Sequence, residues 1–195
     1  GTLTVNAVRS MDELTLEPGS KLQVNNALTT GKLKILTDKT GATSSLKLDA
    51  GITPTSVELI KTIDPAQWHF MSFPTDVTVA NITKADGSSL GTLGTDWFIR
   101  YYDGQKRAND ANTNGSNWKN FTGTTLTANT GYIFTLKIGS PDTDIKIPLN
   151  SAAVATQTAK NIAVAANTGT QNASNHGWNL VGNPFLSNYT ASASR

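Results

Sequence analysis

Pairs of apolar residues at period two punctuate the start of the chain. Leu3 and Val5, Leu14 and Leu16, Leu22 and Val24, Leu33 and Ile35, Leu46 and Leu48, and Val57 and Leu59 each put two apolar side chains on one face of an extended segment. Turn-forming stretches separate them: Glu17-Pro18-Gly19-Ser20, Asn25-Asn26, Thr30-Gly31 and Asp38 to Gly41. Short strands recurring every eight to twelve residues or so predict an all-β arrangement for residues 1–62. The spacing fits a few coils of a β-solenoid-like segment, and equally an antiparallel meander.

The pattern changes at Trp68-His69-Phe70-Met71-Ser72-Phe73-Pro74, an apolar run closed by proline. Proline cannot continue a ladder, so this reads as a buried strand that opens a second region. An echo, Trp178-Asn179-Leu180-Val181-Gly182-Asn183-Pro184, stands near the end. Between the two, Trp97 to Tyr102 is the strongest predicted strand. Trp97, Ile99 and Tyr101 share one face, and Phe98, Arg100 and Tyr102 the other, so a central strand covered on both sides is expected. Gly131 to Ile138 and Asp144 to Leu149 read as further strands, Gln105 to Asn117 as a long polar loop, and Ala152 to Ala166 as extended chain. The expected fold is an antiparallel β-sandwich over 63–175, preceded by the solenoid-like or meander segment. Expected core residues are Leu33, Ile35, Trp68, Phe70, Phe73, Trp97, Ile99, Tyr132, Phe134, Leu136, Trp178 and Leu180.

Composition narrows the function classes. Charged residues are 15% of the 195, the net charge is +2, and Lys and Arg are scattered. Without a basic stripe, nucleic acid is not an expected partner. No apolar run is long enough to predict a membrane-spanning helix. Cysteine is absent, so the core must hold the fold without disulfides. Lys32 and Lys34 alternate with Leu33 and Ile35, as expected for the wet face of a strand.

Five pieces stand out together: Trp68 to Pro74, Tyr101-Tyr102-Asp103-Gly104 followed by Arg107-Ala108, Asn117-Trp118-Lys119, Leu126-Thr127-Ala128 with Gly131-Tyr132-Ile133-Phe134, and above all Gly177-Trp178-Asn179-Leu180-Val181-Gly182-Asn183-Pro184-Phe185. This set resembles repeat modules in large surface or secreted proteins of the Bacteroidetes phylum. The resemblance covers roughly residues 65 to 190. It implies a non-catalytic β-domain of an exported protein, secreted or on the bacterial cell surface, and it brings no catalytic residues. The second module has its opening strand but neither the tyrosine strand nor the Gly-Tyr-Ile-Phe strand that would follow. Residues 176–195 are therefore expected to be the opening strand of a truncated second module, packed on the first.

Candidate chemistry is sparse. Asp110, Asn112 and Asn114, with Gly115, match the first half of a calcium loop, but Phe121 stands where the bidentate Glu belongs. Calcium is the one candidate ion. Trp118, Tyr102 and Trp97 are candidate aromatic faces for sugar rings, with Trp118 beside the Asn-rich loop the best placed. Asp96 and Asp103 flank the tyrosine strand and read as turn residues, not as an acid/base pair. His69 and His176 share no common offset from the motif tryptophans, and no nucleophile motif stands out.

The expected function is a non-catalytic structural or adhesive module. A carbohydrate-binding module is the alternative, and a fragment of a β-helix carbohydrate-active enzyme a further one. Expected partners are cell-surface or dietary glycans or other surface proteins, with the chain a monomer or associating edge to edge.

Overall fold

The computed structural model describes residues 1–42, 44–111, 117–151 and 161–186. Its regular elements are nearly all strands, and the fold is all-β. Residues 1–63 contribute six strands: β1 (Thr2–Val5), β2 (Arg9–Leu16), β3 (Lys21–Val24), β4 (Leu28–Thr37), β5 (Ser45–Leu48) and β6 (Ile52–Ile63). All pairing among them is parallel. The short strands form one ladder, β1-β3-β5, and the long ones another, β2-β4-β6. Consecutive short and long strands thus make one coil, and three coils stack. The parallel sense rules out a meander, in which neighbours run in opposite directions.

Register makes the stacking legible. Thr2 lies opposite Lys21 and Lys21 opposite Ser45, a step of 19 and then of 24 residues. The added residues of the second coil extend β4 and form a turn organised by Asp38, whose Oδ1 accepts from Thr40 N, Thr40 Oγ1 and Ala42 N at 2.8–2.9 Å. Apolar pairs from the sequence pattern stack into columns, Leu14–Leu33–Val57 and Leu16–Ile35–Leu59. The corners repeat as well. Asn25 and Asn26 N–H groups both donate to the Val5 carbonyl (2.9 and 3.2 Å), and Asp49 and Ala50 donate to the Val24 carbonyl (3.0 and 2.8 Å). Side chains at the same corner form a polar ladder. Asn25 Nδ2 donates to Asn6 Oδ1 at 2.7 Å, and Gln23 Nε2 donates to both Asn25 Oδ1 and Asp49 Oδ2. On the wet face Lys34 pairs with Glu13 at 2.7 Å and Lys32 approaches Glu58 at 3.9 Å. Exposed pairs of this kind add little stability.

The rest of the chain adds β7 (His69–Met71), β8 (Val77–Thr78), β9 (Thr83–Lys84), β10 (Trp97–Tyr102), α1 (Gly104–Ala108), β11 (Trp118–Asn120), β12 (Thr125–Leu126), β13 (Tyr132–Leu136) and β14 (Thr143–Leu149). Strand β14 pairs antiparallel with β6, from Thr143 opposite Ile63 to Leu149 opposite Val57, and β9 pairs with β14. One five-stranded sheet, β2-β4-β6-β14-β9, therefore runs straight across the region boundary expected at 62/63. A second, antiparallel sheet has the order β11-β10-β13-β7, and β8 pairs with β12. A single apolar cluster joins Leu33 and Ile35 of the coils to Ile145 and Ile147 of β14 and to Phe73, Trp97 and Phe134. No helix among the described residues is long and apolar enough to cross a membrane.

Residues 178–182 lie along residues 129–131. Gly131 N donates to the Leu180 carbonyl and Gly182 N to the Asn129 carbonyl, around a bridge between Thr130 and Val181. Both glycines are required by close approach. A Cβ on Gly131 would meet Leu180 side-chain atoms at 2.4 Å, and one on Gly182 would meet Ser72 Cβ at 2.3 Å. Leu46 N then donates to the Leu186 carbonyl at 2.8 Å, which ties this segment to the coils.

Three expected core residues are instead at the surface: Trp68 (37% exposed), Phe70 (70%) and Trp178 (50%). Period two explains the first two. Residues 68 and 70 share a face opposite to 69, 71 and 73, and Phe73 and Met71 are buried. That phase also buries His69, whose Nε2 is 3.0 Å from Asp64 N and accepts its proton. The structure corrects two local expectations too. Gln105 to Asn117 begins within the short helix α1, and Thr30-Gly31, expected as a turn between strands, lies inside β4. Of the expected extended stretch 152–166, residues 152–160 lie outside the described residues, and 161–166 form no strand.

The coil bend gives a direct check. A Cβ on Gly31 would stand 2.5 Å from the Asp12 carbonyl oxygen of the preceding coil, whereas one on Gly51 would meet nothing within 4 Å. Gly31→Ala is expected to destabilise the fold by about 1–3 kcal/mol. Gly51→Ala is expected to stay within about 0.5 kcal/mol of the parent. Urea unfolding of both variants measures this, and equal midpoints would contradict the coil stacking.

Candidate ligand-binding face

The outer face of the β11-β10-β13-β7 sheet gathers the surface aromatics. One cross-strand row is Phe70, Ile133, Arg100 and Asn120, fixed by the pairings Phe70–Ile133, Ile133–Arg100 and Arg100–Asn120. Ile133 is buried beneath its neighbours, and Arg100 Nε donates to Asn120 Oδ1 at 3.0 Å. The Arg100 guanidinium lies 4.7 Å from the Trp68 ring centre, within cation–π range. In the next row Tyr102 lies opposite Trp118, with ring centres 5.5 Å apart and planes at 78°. Phe70 extends the group, its ring 6.1 Å from Trp118 at 61°. Edge-to-face rings of this kind hold one another in place.

A second arginine carries the aromatic set onto the C-terminal segment. Arg107 of α1 donates from Nη1 to the Tyr102 hydroxyl at 3.0 Å and lies 4.1 Å from the Trp178 ring centre. Trp178 Nε1 donates to the Ser174 carbonyl, which fixes the ring while leaving it half exposed. Beside Tyr102 and Trp178 lies a cleft of about 370 Å³ lined by the amides of Asn129, Asn161 and Asn179. Asn129 Oδ1 is buried there without a hydrogen bond. Asn179 reads the Ala165 backbone in both directions, donating to its carbonyl at 2.8 Å and accepting from its N–H at 3.1 Å.

Of the sequence candidates, Tyr102 and Trp118 come together on this face, and Trp97 does not. Trp97 is 4% exposed, its ring centre is 5.2 Å from that of Phe134, and its Nε1 donates to the Gly91 carbonyl. The cause is strand alternation. Odd positions of β10 face the core, where Trp97 and Ile99 lie opposite Leu136 and Phe134, and even positions face out. Sequence reasoning missed Trp68, Phe70, Arg100, Arg107 and Trp178 as members of the face. The usable signal was the phase of β7, set by Met71 and Phe73.

The acidic candidates have structural employment. Asp96 Oδ2 accepts from Thr92 N at 2.7 Å in the turn before β10. Asp103 caps α1, accepting from Lys106 N at 2.7 Å, and pairs with Lys119. Asp110 follows α1, and its backbone carbonyl accepts from Asn175 Nδ2 at 2.9 Å. Asn112 and Asn114, the other members of the candidate calcium loop, lie outside the described residues. Asp103 and Asp110 line one cleft with Lys106 and Lys119, so its fixed charges cancel. Among the described residues no three His, Cys, Asp or Glu side chains cluster as a metal site.

Burial pushes the Asp103 carboxyl up, but the Lys119 ammonium and the Lys106 and Gln105 amides outweigh it, holding the group below its ordinary 3.8. Its stabilising contribution is thus complete above the ordinary value and lost as pH falls through the lower folded value. Asp103→Ala should cost about 1 kcal/mol at neutral pH through loss of the helix cap. Urea unfolding should show the gap to the parent narrowing below about pH 4. A gap unchanged at low pH would mean that the carboxylate is not what holds α1, and with it Arg107, in place.

Compared with known proteins, the chain matches no family model, no curated protein and no solved structure.

Proposed function

We propose that this chain is a non-catalytic adhesive module of an exported bacterial protein, secreted or cell-surface, and that carbohydrate is the ligand class of its aromatic face. The observation that carries the reading is the outward array of Trp68, Phe70, Tyr102, Trp118 and Trp178, braced by Arg100 and Arg107. Large aromatics are normally placed where they bury most area, and arrays left at a surface mark interaction sites. Trp68 and Trp178 each carry a guanidinium near the ring yet stay exposed, and the amide cleft beside Trp178 supplies the directional donors and acceptors that sugar hydroxyls need. The exported setting rests on the Bacteroidetes-like motifs. The coils serve as the stiff support that presents the face.

A protein partner is the second reading, favoured by the pairing of Trp and Tyr with Arg, the residue types that dominate binding hot spots. A panel of immobilised polysaccharides and glycans, probed with the parent and with Trp118→Ala and Trp178→Ala, separates the two. Carbohydrate binding predicts reproducible retention on at least one glycan and a tenfold or greater loss of affinity in either variant, a difference of about 1.4 kcal/mol. No retention on any glycan, or retention that both variants keep in full, would overturn the carbohydrate assignment.

A further inference from the structure

A cation is buried where the coils meet the second sheet. Lys61 lies on the inner face of β6, opposite Thr37 of β4 and Ile145 of β14. It is only 7% exposed, and its ammonium makes no hydrogen bond or ion pair with the described residues. The nearest acidic influence is Asp38, whose Oδ1 is already engaged by the Thr40 and Ala42 amides. Burial pushes the Lys61 ammonium below the ordinary lysine range, with Asp38 opposing. Most of the side chain is covered while the ammonium keeps access to the cavity, and the hydration it does lose is offset by no ion pair among the described residues.

Lys61 borders a cavity of about 220 Å³ between the two sheets. Ile35, Leu59, Phe185 and Leu186 give it apolar walls, and the hydroxyl residues Thr37 and Ser44 line it as well. The 183–186 segment roofs it, held by the bond from Leu46 N to the Leu186 carbonyl and by Asn183 N donating to Ser72 Oγ at 3.0 Å. The volume equals about seven waters at roughly 30 Å³ each, below the range of roughly 300–1,000 Å³ that holds drug-sized ligands. A small ligand with one anionic end and one hydrocarbon end matches both the lone charge and the apolar walls.

We propose that this cavity binds a short-chain amphiphilic carboxylate, its carboxylate paired with the Lys61 ammonium and its hydrocarbon end against Ile35, Leu59, Phe185 and Leu186. This site borders the aromatic face at Phe70, which lines both, but its argument does not use the carbohydrate reading. Titration calorimetry of the whole chain at neutral pH, with hexanoate, hexanol and hexylamine as probes, tests it. Hexanoate should bind saturably at one site, at least tenfold tighter than hexanol, and hexylamine should not bind. Lys61→Met should lose hexanoate binding by tenfold or more while unfolding at a temperature no lower than the parent. Equal binding of hexanoate and hexanol, no saturable binding, or hexanoate binding unchanged in Lys61→Met would overturn the proposal. If Lys61→Met does not fold, NMR of the lysine-labelled parent decides. A Lys61 Cε–Hε resonance that moves with hexanoate and not with hexanol supports the site, and one that moves with neither overturns it.

Discussion

Everything in the molecule hangs on β6. On one side it completes the parallel ladder of the coils, lying in register along β4 from Ile52 opposite Leu28 to Lys61 opposite Thr37. On the other side it takes β14 in antiparallel register over seven residue pairs. A solenoid end normally needs a cap, because its last coil leaves an open edge and an uncovered apolar face. Here β14 supplies the edge partner, and the β11-β10-β13-β7 sheet shares the apolar cluster. At the first coil Leu3 and Val8 are exposed.

This arrangement determines which side of the second sheet is free. The inner face packs toward the coils, so Met71, Phe73, Trp97, Ile99, Tyr132 and Phe134 are buried. Strand alternation then forces the intervening residues outward, and these include Trp68, Phe70, Arg100 and Tyr102. The aromatic face follows from how the sheet is seated. The C-terminal segment completes it by laying Trp178 beside Arg107, and the same segment closes the cavity over Lys61 through Leu186. The aromatic face and the cavity thus share one structural dependence, the docking of 178–186.

The strands themselves were legible in the sequence, because period-two pairs such as Leu33 and Ile35 state which face is buried. Their direction was not, since a period-two pattern is the same in parallel and antiparallel partners. The step of 19 and then 24 residues hid the repeat. Its clearest trace is the branched aliphatic residue followed by Asn or Asp at each corner, Val5-Asn6, Val24-Asn25 and Leu48-Asp49. Of the candidate aromatics, Tyr102 and Trp118 lie opposite each other on the outer face, whereas Trp97, grouped with them by residue type alone, faces the core. Trp68 and Phe70 were assigned to the core on hydrophobicity, against the phase that Phe73 imposes on the same strand. Lys61 carried no signal at all. In sequence it is one lysine in an alternating strand, and only the layer that β7 and 183–186 place over it makes it buried.

The claim that most needs an independent measurement is that three of the four tryptophans serve a ligand face and one serves the core. The indole N–H groups report on this separately in a 1H–15N correlation spectrum with and without a binding saccharide. The account predicts that the signals of Trp118 and Trp178 shift on titration, with Trp68 following. Trp97, bonded to the Gly91 carbonyl inside the core, should stay fixed and exchange slowly with solvent. Movement of Trp97 with the outer three unchanged, or rapid exchange at Trp97 in the free protein, would contradict it.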